Sequence, residues 1–291
     1  MNDFYIILTA SIVASSCALL GCFLILRKMA MVSDAISHAV LPGIVLAFLI
    51  SGSRDSVTML IGAGAIGIFT TFLIEFFHQK ARLQTDAAIG VTFTWLFAVG
   101  VVMISLFAGK VDLDQDCVLY GEIAYVPLDT IILASGKSIG PKALYVSGFI
   151  LILVLLFIYI GYKELFLTTF DPAYASAIGL STSLWHYLLM GAVSATTVAS
   201  FESVGAILVV ALLIAPAATA YLLTDNFKIM LGLACFIGTL ASISGYYVAT
   251  WLDGSIAGAI ALMGGVLFAL AVAFSPRHGL LFRKVSKTVP V

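Results

Sequence analysis

Long apolar runs separated by short polar connections make up most of the 291-residue sequence. A helix of about 20 apolar residues is long enough to cross the hydrocarbon core of a membrane. The pattern therefore predicts an all-α polytopic membrane protein with nine transmembrane helices, and any number from eight to ten is compatible with it. The predicted spans are residues 4–26, 34–52, 57–77, 87–108, 143–162, 186–201, 204–223, 229–250 and 255–274.

The composition puts the whole chain in the same class. Hydrophobic residues make up 62% of it and charged residues 10%, whereas soluble domains average roughly 45–50% and 25%. No polar stretch is long enough to fold as a domain outside the bilayer, so we expect residues 1–291 to form a single integral membrane domain. The net charge of −1 and the lack of a basic cluster argue against a nucleic-acid partner.

Lysine and arginine residues are divided unevenly between the predicted connections. With the N-terminus outside, the cytosolic connections and the tail hold ten of them, and the outer connections hold four. Because cytosolic loops are enriched in basic residues, this division predicts an external N-terminus and a cytosolic C-terminus. Termini on opposite sides require an odd number of spans.

The connection between the fourth and fifth spans is the most acidic one. Its residues 113–136 are long enough to hold short re-entrant or interfacial helices. The acidic side chains either belong to an ordinary solvated loop or raise the concentration of cations near an entrance. They are Asp112, Asp114, Asp116, Glu122 and Asp129.

Two ionisable residues interrupt the apolar pattern of the second span. Asp34 and His38 are four residues apart, a spacing that puts both side chains on one face of a helix. Ionisable side chains in a membrane span usually face the bundle interior, a partner or a water-filled path. Pro42 and Gly43 follow at once and predict an interruption or kink in the helix. The pair is the candidate functional site, and the topology puts it near the cytosolic end of its span.

The chemistry of this pair suits a divalent metal ion. One carboxylate and one imidazole fit Mn²⁺, Zn²⁺ or Fe²⁺, whereas the lack of a thiolate beside them argues against Cu⁺. Two ligands suit a site that must release its ion, with water, a neighbouring helix or a second protomer completing the shell. The alternative is that Asp34 only N-caps the second span and that His38 hydrogen-bonds a neighbour.

The usual motifs of membrane enzymes are missing from the sequence. It contains neither H-E-x-x-H nor an aspartate in a G-x-G-D setting. The G-K-S triplet at 136–138 resembles the end of a phosphate loop, but Ile131 stands where that loop needs a glycine. We therefore expect a transport subunit that does not bind ATP itself, with ATP hydrolysis on a separate chain.

The connection at 170–186 is too amphipathic to be a plain loop. Asp171 suits the N-cap of a short helix, Pro172 its first turn and Gly179 its end. The sequence thus predicts a short cytosolic helix, which either docks a partner or lies on the lipid headgroups.

Glycines in the third and last spans predict close packing between helices, because a missing side chain lets two backbones approach. These glycines are Gly62, Gly64, Gly67, Gly258, Gly264 and Gly265.

Three segments together resemble the membrane-spanning permeases of manganese, zinc and iron ABC importers. They are R-K-M-A-M-V-S-D-A-I-S-H-A-V-L-P-G at 27–43, F-D-P-A-Y-A-S-A-I-G-L at 170–180 and V-G-A-I-L-V-V-A-L-L-I-A-P-A-A-T-A-Y-L-L-T-D at 204–225. The first and third are quite specific to that family, while many ABC permeases share a form of the second. All three occur in the family's order and together span most of the chain.

The resemblance implies a function and a set of partners. Two permeases, identical or paralogous, would pair in a bacterial cell membrane with a cytosolic ABC ATPase and an external metal-binding protein. Asp34 and His38 would form the transmembrane metal site for alternating access, and the ion would be cargo rather than a permanent cofactor. A coupling helix at about 171–183 would dock the ATPase through Asp171, Pro172, Ala175 and Gly179. The alternative is a stand-alone secondary metal carrier, coupled to protons or sodium and using the same pair.

Two further positions depart from a plain apolar helix. At Glu202 the family more often carries an uncharged polar residue, so this carboxylate is interpreted either as an outer gate ligand or as an interfacial group that reaches water. Pro216 predicts a kink in the seventh span, and Thr219 is expected to hydrogen-bond backbone that the proline frees.

Overall fold

The computed structural model describes residues 2–52, 56–107, 123–132 and 138–275. The first helices within these ranges are α1 (Asn2–Leu26), α2 (Val32–Ala39), α3 (Leu41–Ser51), α4 (Ser56–Lys80), α5 (Thr85–Phe107) and α6 (Lys142–Ile160). The remaining ones are α7 (Tyr162–Phe170), α8 (Pro172–Ala177), α9 (Thr182–Val204), α10 (Ala206–Leu223), α11 (Phe227–Leu252) and α12 (Ile256–Phe274). The predicted all-α polytopic membrane fold is confirmed.

Each predicted span corresponds to one helix, except that the second span is divided into α2 and α3. Among the described residues, eight segments are long and apolar enough to cross a membrane, and α2 with α3 counts as one of them. The ninth predicted span, 186–201, coincides with α9, which is not among the eight. A ninth crossing therefore stays a prediction.

Helix α9 is less apolar than the other predicted spans, and its polar side chains face neighbouring helices rather than lipid. It packs against α1, α2, α4, α6 and α10. Its buried hydroxyl residues are Ser194, Thr196, Thr197, Ser200 and Ser203. Its 23 residues give a length of about 34 Å, enough to cross a bilayer. The low hydropathy of α9 thus reflects a central position, in which the neighbouring helices separate its hydroxyl groups from lipid.

The helices form two groups joined by α9. Helix α1 packs against α6, α10 and α11, and α12 packs against α10 and α11, while α2, α3, α4 and α5 pack against one another. Glycine lets helices approach closely within each group. In the first, a Cβ on Gly21 would overlap the Leu213 carbonyl, and in the second a Cβ on Gly62 would lie 2.5 Å from the Gly43 oxygen. Of the glycines expected to pack closely, Gly62 and Gly67 do so, whereas the prediction is wrong for Gly64 and Gly265, which face open space.

The acidic connection contains a small hairpin rather than helices in the part that the structure describes. A 3₁₀ turn at Ile123–Tyr125 precedes strand β1 (Thr130–Ile132), which pairs antiparallel with β2 (Ser138–Pro141). The expectation of short helices is therefore wrong for these strands, whose β-branched residues favour extended backbone. The rest of that connection, 108–122 and 133–137, lies outside the described residues, as does the tail from residue 276 onward.

The two prolines occupy different positions in their helices. Pro42 lies in the first turn of α3, directly after Val40, where the second span is divided although the Val40 backbone keeps helical dihedral angles, so a kink there stays a prediction. Pro216 lies inside α10, which is assigned as one helix, and a kink there stays a prediction. Proline 216 frees the carbonyl four residues earlier, but the Thr219 hydroxyl donates instead to the Ala215 oxygen at 2.6 Å. The prediction that Thr219 bonds the carbonyl freed by Pro216 is wrong, because its hydroxyl bonds the Ala215 carbonyl instead.

Candidate metal site and docking helix

A hydrogen-bonded turn holds the start of α2. Lys28 adopts the left-handed conformation at φ 58°, and its N–H donates to the Ile25 oxygen at 3.0 Å. The Met29 N–H donates to the Leu24 oxygen at 2.9 Å. These two bonds form the motif that commonly ends helices. The Val32 N–H donates to the Met29 oxygen at 3.2 Å, so the turn passes directly into α2.

Asp34 is not the cap of this helix. The N-cap position belongs to Met31, and no side chain caps it. Asp34 is instead the third helical residue, where its charge interacts favourably with the positive end of the helix dipole. The alternative in which Asp34 serves as the N-cap of the second span is therefore wrong, and its carboxylate remains available to a ligand.

Asp34 and His38 lie side by side on one face of α2, as their spacing predicts. His38 Nε2 is 3.7 Å from Asp34 Oδ1, and the side chains are 40% and 36% exposed, respectively, in the isolated chain. That distance exceeds the usual length of a hydrogen bond. On the other side of His38 lie the rings of Phe93 and Phe97 from α5, with centroids 5.7 and 6.2 Å away. Aromatic groups thus support the imidazole on one side, while the side shared with the carboxylate is open.

The pair lies near mid-height of the bundle. A Cβ on Gly67 would lie 3.3 Å from Cγ2 of Ile36 and would overlap Ser194. Ile36 stands between the two site residues, while Gly67 and Ser194 are near the centres of α4 and α9. The pair reaches this level although it stands in the first half of the span Val32–Ser51, because the turn before α2 lies inside the end of the bundle, and its depth in the membrane stays a prediction.

A buried polar network draws that turn into the bundle. Arg27 donates from Nε to Thr169 Oγ1 and from Nη2 to Thr168 Oγ1, both at 3.0 Å. Its Nη1 lies 3.4 Å from Nδ1 of His186, whose Nε2 is 3.3 Å from Glu75 Oε2. In the sequence, Arg27 is only one of the ten basic residues on the cytosolic side, and no prediction was made for Glu75. A signal was present, since Glu75 is a carboxylate within the apolar pattern of the third span.

A third protein ligand is not close to the pair within the described residues. In them, His, Cys, Asp and Glu side chains nowhere form a group of three or more that could hold a metal. Glu202 belongs to the last turn of α9, eight residues beyond Ser194 and so about 12 Å from the level of the pair. The described part of Glu202 is its backbone alone, and its role as a gate ligand stays a prediction.

The predicted short helix before α9 is present and has the predicted ends. Asp171 Oδ1 accepts a hydrogen bond from the Tyr174 N–H at 2.9 Å, and Pro172 opens α8. At the other end Gly179 has a φ of 86°, and the Leu180 N–H donates to the Ala175 oxygen at 3.0 Å. The helix is shorter than the expected 171–183, because α9 already begins at Thr182.

Helix α8 projects from the bundle and exposes apolar groups. It packs on α7 and α9, with Ala175 fully buried on the inner side. Tyr174 and Ile178 are 56% and 53% exposed on the outside. A short, doubly capped helix with exposed apolar side chains is suited to bind another protein.

Comparisons with known proteins agree along almost the whole chain. The manganese transport system membrane protein MntD of Bacillus subtilis (strain 168) is 50% identical over 281 residues, which cover 97% of this chain and 95% of MntD. The zinc transport system membrane protein TroD of Treponema pallidum (strain Nichols) is 46% identical over 278 residues, covering 96% of this chain and 75% of TroD. The solved structure of PsaBC from Streptococcus pneumoniae in complex with Fab matches with a TM-score of 0.76 and 31% identity, covering 94% of this chain and 92% of that one.

A family model gives the same result. The model of the ABC 3 transport family matches residues 4–275, a range that includes the Asp34–His38 pair, the network around Arg27 and helix α8. The chain belongs to the ABC 3 transport family.

Proposed function

We propose that this chain is the membrane-spanning permease subunit of an ABC importer that takes manganese or zinc into the cytoplasm. The observation that carries the proposal is the Asp34–His38 pair, half-exposed at mid-height of a membrane bundle in a family of transporters. A carboxylate in such a position is costly unless a cation or water meets it. Asp34 supplies negative charge and oxygen, and His38 supplies nitrogen, so that together they hold the ion transiently.

The shell around the ion is completed from outside this chain. Among the described residues the pair has no third ligand of the His, Cys, Asp or Glu type nearby, and its exposed side is open. A second permease, identical or paralogous, would bring an equivalent pair to that side. Four nitrogen and oxygen donors shared by two chains form a site that opens when the chains move apart, as alternating access requires.

Both proposed metals suit these donors. The two relatives described above are named for manganese and for zinc, and neither name mentions iron, the third metal that the resemblance suggested. A site of nitrogen and oxygen ligands binds Zn²⁺ more tightly than Mn²⁺. Import of manganese would therefore depend on what the external binding protein delivers.

Helix α8 is the docking element for the cytosolic ATPase. Its caps give it a fixed shape without a partner, and Tyr174 and Ile178 offer apolar contacts. The assignment fixes the orientation, since α8 must be cytosolic. Arg27, Thr168 and His186 share that end of the bundle with α8, which agrees with an external N-terminus and with α9 as a ninth crossing.

Transport in proteoliposomes tests the proposed function. The permease is reconstituted with its ATPase and metal-binding protein, and uptake of radioactive manganese and zinc is measured with ATP and with a non-hydrolysable analogue. Uptake that requires ATP hydrolysis is expected. Uptake by the permease alone, driven by a proton or sodium gradient, would instead identify a secondary carrier and refute the proposal.

A further inference from the structure

We propose that Arg27 is a positioning residue that couples movement of the docking helix α8 to the Asp34–His38 site. The inference rests on the function proposed above, in which α8 docks the ATPase. Arg27 would connect α7 and α8, which receive the movement of the ATPase, to α2, which carries the ion.

On the docking side, Arg27 is joined to the helix that leads into α8. Thr168 and Thr169 directly precede Phe170, the last residue of α7. Asp171, the cap of α8, follows Phe170. Thr168 Oγ1 accepts from Arg27 and donates to the Glu164 oxygen at 2.8 Å. The hydroxyl is thus held in one orientation, and a displacement of α7 moves the acceptor on which the guanidinium depends.

Aromatic contacts reinforce the attachment of α7 to the end of α1. The ring of Phe166 stacks within 4.6 Å of Phe170 and within 5.8 Å of Phe227, which in turn lies 5.0 Å from Phe23 on α1. These apolar contacts tolerate sliding, whereas the two hydrogen bonds of Arg27 are directional. The aromatic cluster therefore keeps α7 against α1, and Arg27 sets the register between them.

On the site side, the turn after Arg27 is short and internally bonded. Hydrogen bonds from the Lys28, Met29 and Val32 N–H groups leave no slack between the end of α1 and the start of α2. Asp34 follows Arg27 by seven residues. A rotation of the end of α1 is therefore passed to α2 rather than absorbed by a loop.

His186 extends the same link to two further helices. Arginine can only donate, so Nδ1 of His186 accepts from Arg27, which leaves the imidazole proton on Nε2, 3.3 Å from Glu75 Oε2 but without a hydrogen bond to it. His186 belongs to α9 and Glu75 to α4, and Gly67 at the centre of α4 adjoins both Ile36 beside the site and Ser194 of α9. Arginine stays a cation at neutral pH, and Arg27 lies across the imidazole from the Glu75 carboxylate.

A stability role alone does not explain this arrangement. Removing a cation even partly from water costs desolvation free energy, and apolar residues of similar volume often stabilise such a position as well or better. A planar group at the end of α1 that contacts α7 and α9 at once is instead suited to define their relative positions. Arg27 would thus matter for the ratio of metal moved to ATP hydrolysed more than for folding.

The test compares transport with hydrolysis in the reconstituted complex of permease, ATPase and binding protein. In the Arg27→Gln variant we expect manganese transported per ATP hydrolysed to fall about tenfold, with ATPase association and hydrolysis within about twofold of the wild type. Arg27→Lys keeps the charge but cannot bond both threonines and the imidazole together, so it should fall in between. Lys28→Gln is the matched control, because Lys28 is the exposed neighbouring cation in the same turn.

Each outcome decides the inference. Transport per ATP within twofold of wild type in Arg27→Gln would overturn it and leave the proposed function intact. Loss of ATPase association from a stably inserted Arg27→Gln variant would assign Arg27 to docking and would also overturn it. A wild-type complex without ATP-dependent transport would refute the proposed function and this inference with it. If Arg27→Gln fails to insert, the double variant Thr168→Val/Thr169→Val carries the same expectation and the same refutation.

Discussion

The two short helices α2 and α8 differ in what holds their ends. Helix α8 has a side-chain cap from Asp171 and a left-handed glycine at its end, and it stands outside the bundle. Helix α2 has no side-chain cap, lies inside the bundle and continues past Val40 into α3. Local hydrogen bonds therefore fix α8, whereas packing against neighbouring helices fixes α2.

This difference matches the tasks proposed for them. A docking element must keep its shape while it is pushed, so it needs bonds of its own. A site that opens on alternate sides must change its surroundings, and a divided helix held by its neighbours changes when they move. The comparison predicts that α2 is sensitive to charge and to neighbouring volume, and that α8 is sensitive to its caps.

The largest effect is expected from charge at the site. Asp34→Asn keeps the size of the side chain and an oxygen but removes the negative charge, so ATP-dependent manganese uptake should fall by about 100-fold or more, since loss of an outer-shell partner alone costs roughly 10–100-fold. Asp86→Asn is the matched control, since Asp86 is an exposed carboxylate in the first turn of α5. Uptake in that control should stay within about twofold. Equal uptake in the two variants would remove Asp34 from the site.

The second effect concerns the end of α8. Gly179→Val puts a β-branched residue at a φ of 86°, which costs about 1–2 kcal/mol or more and favours a helix that does not stop there. Co-purification of the ATPase with the inserted permease should be lost. Gly179→Asn should retain it, because asparagine tolerates the left-handed conformation. Undiminished ATPase yield with the valine variant would contradict the docking assignment.

A smaller effect tests the packing beside the site. Gly67→Val forces a side chain against Ser194 and Ile36, and overpacking of this kind costs about 1–3 kcal/mol. The melting temperature of the purified permease should fall by several degrees. Gly64 is three residues away on the same helix with open space at its Cβ, so Gly64→Val should change the melting temperature little. A similar shift in both variants would mean that helix propensity, rather than contact, sets the effect.

The smallest effect concerns orientation and should leave transport unchanged. Ala173 is exposed on α8, and Gly254 is exposed between α11 and α12. A membrane-impermeant maleimide should label Gly254→Cys in intact cells, and should label Ala173→Cys only after the cytosolic face is opened. The reverse pattern would show that the basic residues misled the assignment of sides.

The apolar pattern and the turn residues predicted most of the fold. All nine expected spans have a helical counterpart, and Asp171, Pro172 and Gly179 act locally as their residue types suggest. The level of the Asp34–His38 pair within the bundle was not predictable in the same way. It depends on Arg27, which is drawn into the bundle by hydroxyl, imidazole and carboxylate groups far away in the sequence. Periodicity reports which face of a helix is apolar, but it does not say which distant polar groups meet.

Two other misses have the same origin. Thr219 was expected to bond the carbonyl that Pro216 leaves without a donor, but it bonds Ala215 instead. Which of the two carbonyl groups a hydroxyl reaches depends on local geometry, which the spacing in the sequence does not determine. The hairpin of β1 and β2 was missed because strands of three and four residues are too short for a periodic signal.

Direct coordination of the cargo ion by His38 is the claim on which the account depends. Pulsed electron paramagnetic resonance of Mn²⁺ bound to the purified permease complex detects nitrogen nuclei that coordinate the metal. We expect a nitrogen modulation from an imidazole in the wild type, and its loss in His38→Gln at a manganese concentration that still loads the protein. An unchanged nitrogen modulation in His38→Gln, or none in the wild type with manganese bound, would contradict the assignment of Asp34 and His38 as the transport site.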